Sequence, residues 1–89
     1  MNHILKPASA GTLESSDVMV ELEPAESRSI ELHSVVEKQF GPSIVALAEE
    51  MLEQAGLDKV CLRIEDRGAL ECVLRARIET VILRAKGEN

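Results

Sequence analysis

Three short runs of strict alternation limit what this chain can fold into. Val18, Val20 and Leu22 alternate with Asp17, Met19, Glu21 and Glu23. Ile30 and Leu32 alternate with Ser29, Glu31 and His33, and Val60, Leu62 and Ile64 with Cys61, Arg63 and Glu65. A period of two puts every apolar member on one side of a pleated strand. Each run therefore predicts a strand with one dry face, which needs a cover. Two helical stripes supply it. Val36, Phe40, Ile44, Leu47, Ala48, Met51, Leu52 and Ala55 form one, and Leu70, Leu74, Ile78, Val81, Ile82 and Ala85 the other.

The punctuation agrees. Pro24 ends the first strand, and residues 23–28 read as the turn of an antiparallel hairpin. Ser34-Val35-Val36-Glu37 reads as a capping box opening the first helix. Gly41-Pro42 interrupts that helix and predicts a kink, or a short turn with the main helix starting at Pro42; a proline inside a helix costs about 3 kcal/mol. Gly56 predicts a left-handed cap with Leu57 folding back. Asp66-Arg67-Gly68 is a turn, in which the glycine permits a tight entry into the second helix.

The expected fold is α+β, a two-layer sandwich in the order β-β-α-β-α. Its three-stranded, mostly antiparallel sheet has the first strand central and both helices on one face. A right-handed crossover through the first helix joins the second strand to the third. The other face, with Asp17, Glu21, Glu31, His33, Arg63 and Glu65, is solvated or meets a partner. Residues 1–10 read as a flexible lead-in, 11–86 as the domain and 87–89 as a frayed end.

Composition closes off several function classes. A chain of 89 residues holds one core, and 45% hydrophobic residues suffice to fill it. The formal charge is −6, and Phe40 is the single aromatic. Nucleic acid requires a basic face and stacking platforms, so it is not an expected partner. No apolar run approaches the roughly 18 residues of a membrane span, and the first residues lack a signal peptide's apolar middle. A cytoplasmic protein with no membrane role is expected. Cys61 and Cys72 form no metal or redox spacing and are expected as free thiols, Cys72 as a packed small hydrophobe. His3 and His33 match no metal-site pattern.

No catalytic constellation stands out: there is no Ser/His/Asp set, no phosphate-cradling loop and no ligand cluster. The stretch Gly11-Thr12-Leu13-Glu14-Ser15-Ser16-Asp17-Val18-Met19-Val20 passes from a small, polar, flexible segment into a strand. A serine without a base beside it is a weak nucleophile. Exposed on a mobile backbone, it suits modification by another enzyme. The competing view is that Ser15 and Ser16 simply start the strand. Arg75, Arg77, Arg84 and Lys86 make a basic side on the second helix. It is either a solvated flank or a dock for acidic surface or phosphates.

Three blocks in one order carry a family resemblance: Gly11 to Val20, Val36-Glu37-Lys38-Gln39-Phe40-Gly41, and Asp66-Arg67-Gly68-Ala69-Leu70-Glu71-Cys72-Val73-Leu74-Arg75-Ala76-Arg77. Together they resemble the acyl carrier (gamma) subunit of citrate lyase. The resemblance implies that Ser15 carries 2′-(5″-phosphoribosyl)-3′-dephospho-coenzyme A through a phosphodiester, with Ser16 the lesser candidate. Glu14 and Asp17 beside it add like charges that disfavour folding the arm back onto its anchor. The arm's thiol, by the same resemblance, carries acetyl and citryl groups in a citrate-fermenting complex. An alpha subunit exchanges acetyl for citrate, and a beta subunit releases oxaloacetate. A prosthetic-group transferase and citrate lyase ligase are further implied partners, and the chain itself is a non-catalytic carrier. Arg67 stands where lysine is expected, Glu65 where aspartate is commoner, and Pro42 is unusual inside the first helix. The alternatives are a carrier for a malonate decarboxylase-type complex and a small regulatory or ligand-binding domain of the same layout.

Overall fold

The three expected strands form, and a fourth joins them. The computed structural model describes residues 6–87, apart from the side chain of Glu37. The elements are β1 (Ala8–Gly11), β2 (Val18–Pro24), β3 (Ser29–Ser34), α1 (Glu37–Gln54), β4 (Val60–Asp66) and α2 (Glu71–Ala85). They build an α+β sandwich on a four-stranded sheet of order β1-β2-β4-β3.

Two departures from expectation matter. Ala8–Ala10, expected in a flexible lead-in, are strand: Ala8 pairs with Leu22 and Ala10 with Val20, antiparallel. Alanine, serine and glycine are poor strand formers, so this edge is held by its partner and not by propensity. His3, Ile4 and Leu5 lie outside the described residues, as do residues 88 and 89 of the frayed end.

The second departure is the strand order. β2 and β3 do not pair as a hairpin; β4 lies between them, antiparallel to β2 and parallel to β3. β2, expected in the middle, is interior between β1 and β4, and the second interior place goes to the apolar β4. Val60, Cys61, Leu62, Ile64 and Asp66 of β4 are buried, whereas β3 alternates between exposed and half-buried. The link from Pro24 to Ser29 spans about 16 Å when extended, enough to step over one strand at about 4.8 Å per spacing. It is fastened beneath β4's entry. The Ala25 amide donates to the Lys59 carbonyl at 3.0 Å. Arg28 donates to the Leu57 carbonyl at 3.2 Å and pairs with Glu53 at 2.8 Å.

One dry face unites the layers, as the alternation requires. Val18, Val20, Leu22, Val60, Leu62 and Ile64 pack under Ile44, Leu47, Ala48 and Leu52 of α1 and Leu74, Ile78, Val81 and Ile82 of α2. On the opposite face Arg63 pairs with Glu23 at 3.0 Å and Glu21 at 3.4 Å. The pairing holds the Glu23 carboxyl below its ordinary range and raises the guanidinium.

α1 runs unbroken through Pro42. The hydrogen bond lost there belongs to the Lys38 carbonyl, in the exposed first turn, where its loss is least costly. Gly56 takes φ +73°, and the Leu57 amide reaches back to the Leu52 carbonyl at 2.9 Å, the expected left-handed cap. The capping box is corrected. Ser34 ends β3, its hydroxyl accepts from the Val36 amide at 3.0 Å, and the helix starts after Val36 with no side-chain cap. The Glu37 half of that box lies outside the described residues.

Gly11 takes φ +98°, and a Cβ there would run into the Val18 carbonyl. Gly11→Ala is expected to lower unfolding stability by about 2–3 kcal/mol, measured by urea denaturation; an unchanged midpoint would show that β1 does not hold the domain together.

Candidate functional site

The alternating pattern places Ser15 just before a strand; the fold places it at the tip of a closed loop. Residues 12–17 connect β1 to β2, so both ends of the loop are fixed in the sheet. Ser15 and Ser16 are exposed. The Ser15 hydroxyl makes no hydrogen bond among the described residues.

Three polar side chains shape the loop from inside. The Thr12 hydroxyl donates to Asp17 Oδ2 at 2.6 Å and accepts from the Glu14 amide at 3.2 Å. The Asp17 amide donates to the Glu14 carbonyl at 3.1 Å. Asp17 Oδ1 accepts from the Val18 amide at 2.7 Å. Arg77, two turns into α2, closes the set with a bidentate fork, Nη2 to Oδ2 at 2.8 Å and Nε to Oδ1 at 3.2 Å. Arg77 first, then Thr12 and the Val18 amide, hold the Asp17 carboxyl far below the usual carboxylate range, against a smaller opposing effect of burial.

A second fastening is made by backbone. The Ser16 amide donates to the Arg67 carbonyl at 2.8 Å, and the Arg67 amide donates to the Asp17 carbonyl at 2.9 Å. Ser16 accommodates this at φ +67°, a left-handed conformation that costs a non-glycine residue about 1 kcal/mol. The loop is thus tied to α2 on one side and to the β4–α2 turn on the other. Its two outward hydroxyls stay free of both ties.

The turn it leans on is itself held by a buried carboxylate. Asp66 is 2% exposed. It accepts from the Ser34 hydroxyl at 2.8 Å and the Ala69 amide at 3.0 Å.

The basic side expected on α2 is divided among local partners. Arg77 is committed to Asp17, Arg75 pairs with Glu71 at 3.2 Å, Arg84 donates to the Ser9 carbonyl at 2.9 Å and Lys86 to the Ala55 carbonyl at 3.3 Å. Asp17 accordingly leaves the open-face set in which the alternation put it. Of the two carboxylates beside Ser15, Glu14 alone remains exposed. Cys61 is buried and Cys72, expected to be packed, is exposed; both are free thiols. Among the described residues no cluster of histidine, cysteine and carboxylates could hold a metal, and no helix is long and apolar enough to cross a membrane.

Comparison with known proteins places the whole chain in a family. A family model described as malonate decarboxylase delta subunit (MdcD), of the acyl carrier type, matches residues 5–85. The citrate lyase acyl carrier protein of Clostridium perfringens is 49% identical over 97% of this chain and 87% of its own length. That of Escherichia fergusonii is 50% identical over 92% of this chain and 87% of its own. The chain belongs to the citrate lyase acyl carrier protein family. A chain of the Pseudomonas malonate decarboxylase hetero-tetramer, solved with malonate, superposes with a TM-score of 0.79 at 26% identity, covering 90% of this chain and 84% of that one.

Within this acyl carrier fold, the sequence left three site residues unremarked or misassigned. Thr12 carried no signal of its own. Arg77 lies sixty positions from Asp17, and such a pairing has no local signature. Asp66 looked like a turn residue, and its burial follows only from its place opposite Val18 in the central pair.

Asp17 titrates lower folded than unfolded, so its contribution is complete above the unfolded value of about 3.9 and fades as pH falls further. Asp17→Asn is therefore expected to be less stable than wild type at pH 6, with the gap narrowing on acidification below about pH 4. Urea denaturation across that range checks it; a constant gap would remove the ion pair as its source.

Proposed function

We propose that this chain is the acyl carrier subunit of a citrate lyase complex and is loaded covalently at the Ser15 hydroxyl. The observation that carries this is the presentation of Ser15: exposed, without a hydrogen bond among the described residues, and at the tip of a loop held by Thr12, Asp17 and Arg77. A tether shared between separate active sites has to be reachable by a modifying enzyme and must not alter the fold when occupied. Both conditions are met, because the Thr12–Asp17–Arg77 set and the Ser16–Arg67 pair leave the Ser15 side chain out of the structure they maintain.

The group we assign is 2′-(5″-phosphoribosyl)-3′-dephospho-coenzyme A, joined so that Ser15 Oγ becomes the bridging oxygen of a phosphodiester. Bound there, it supplies a thiol that carries acetyl and citryl groups as thioesters, in which form citrate is cleaved to oxaloacetate. The chain's own part is positional. Ser15 anchors, Asp17 and Arg77 fix the loop's height above α2, and Ser16 sets its direction by a left-handed turn. The partners are the lyase's alpha and beta subunits, with a prosthetic-group transferase and a citrate lyase ligase acting on the carrier in the cytoplasm. The carrier of a malonate decarboxylase-type complex is the second reading. The citrate lyase carriers share about half of this sequence, and the malonate decarboxylase chain 26%.

Co-expressed with the modification enzymes, the wild-type chain is expected to gain the mass of the coenzyme derivative on the peptide containing Ser15. Ser15→Ala is expected to stay unmodified. Ser16→Gly relieves the left-handed strain, keeps the modification and gains up to about 1 kcal/mol in unfolding stability. Intact mass with peptide mapping reads all three, and modification persisting in Ser15→Ala would move the anchor to Ser16.

A further inference from the structure

A groove of about 530 Å³ opens between the starts of the two helices. Phe40, Ile44 and Leu47 line it from α1, and Ala69, Leu70 and Leu74 from the α2 side. Phe40 and Leu70 belong to the two expected core stripes, yet they are 53% and 71% exposed at its lip. Neither is covered by any of the described residues. Exposed apolar residues at an unfilled groove call for an occupant.

The groove adjoins the Ser15 loop. Gly68, one residue from Arg67, lines it, and Arg67 is hydrogen-bonded on both sides to Ser16 and Asp17. From Ser15 the path is one peptide step, one hydrogen-bonded crossing and a second peptide step, no more than about 13 Å in all. An extended group anchored at Ser15 and longer than that reaches this lip.

Charge narrows what can enter. The groove's ionisable lining is Asp66 and Glu71, both carboxylates, so phosphates and a free carboxylate are disfavoured inside it. A neutral chain of methylene and dimethyl units with a few amide groups fits that lining. We infer that the groove is the resting site of the neutral pantetheine portion of the arm, with the phosphate-bearing nucleotide portion left outside at the anchor. This rests on the assignment of Ser15 as attachment point.

Weak affinity suffices for such a site. A short flexible tether supplies an effective concentration on the order of millimolar, so a chain segment that binds at that level when free is about half seated when attached. Seating removes the thiol end from water between visits to the catalytic subunits, and the low affinity lets those subunits withdraw it.

The test uses the full chain, unloaded and loaded, by amide NMR with intact mass on the same samples. With the coenzyme derivative shown by mass on Ser15, resonances of Phe40, Ile44, Leu70 and Leu74 are expected to shift along with those of residues 12–18. Free pantetheine titrated into the unloaded chain should move the same groove resonances at millimolar concentration. Leu70→Asp keeps the fold, because an aspartate suits the uncapped start of α2, and adds a negative charge at the lip. It is expected to abolish the groove shifts while leaving Ser15 loaded. Loading with changes confined to residues 12–18 overturns the groove and leaves the anchor standing. Groove shifts that appear only after the catalytic subunits are added assign the groove to partner docking and also overturn it. No mass gain on Ser15 overturns the anchor itself, and the arm's resting site with it.

Discussion

Arg77 is the side chain that ties the 12–17 loop to α2. Its fork on Asp17 crosses from the outer helix to the point where the hairpin loop turns into β2. Without it, the loop would be held only by its ends and by two backbone bonds to Arg67. The carboxylate it meets is also claimed by Thr12 and the Val18 amide, so one side chain sets the loop's closure, its entry into the strand and its distance from α2. A charge pair with this many partners acts as a geometric clamp more than as a source of bulk stability.

The clamp resolves a conflict built into a carrier. An anchoring residue has to stand in water and be handled by several enzymes, which argues for a floppy segment. An unrestrained segment, however, would offer each of them a different target and lose ordering entropy at every encounter. Here the polar groups that fix the loop all point inward, and Ser15 points out. Ser16 takes a left-handed conformation there, with its amide bonded to the Arg67 carbonyl.

Much of this was legible beforehand, for identifiable reasons. The alternation at Val18–Leu22 and Val60–Ile64 and the stripes at Ile44–Leu52 and Leu74–Ala85 are burial patterns, and burial is what built them. Gly56 and Leu57 were readable because a helix end is a local event. What escaped was non-local or propensity-poor. β1 is Ala-Ser-Ala-Gly, a sequence that becomes strand only when β2 offers its edge. The insertion of β4 between β2 and β3 depends on comparing the apolar content of whole strands, while the short Pro24–Ser29 link suggests a hairpin. Phe40 and Leu70, expected on the buried stripes, are exposed, because they stand beyond the reach of the sheet that covers the rest. Ser15 was singled out by the blocks around it; the Thr12, Asp17 and Arg77 contacts that frame its loop needed three dimensions.

The placement of β4 at the centre of the sheet also dictates when the domain can assemble. β1 and β2 are neighbours in sequence and can pair as soon as both have been made. β3 has no such option, since its partner among the described strands, β4, is synthesised after α1. Until residue 66 has left the ribosome, one side of β2 and the whole of β3 remain open edges. The last strand to emerge is thus the keystone of the sheet. The core cannot close until β4 and α2 have been made, which favours cooperative assembly over strand-by-strand pairing.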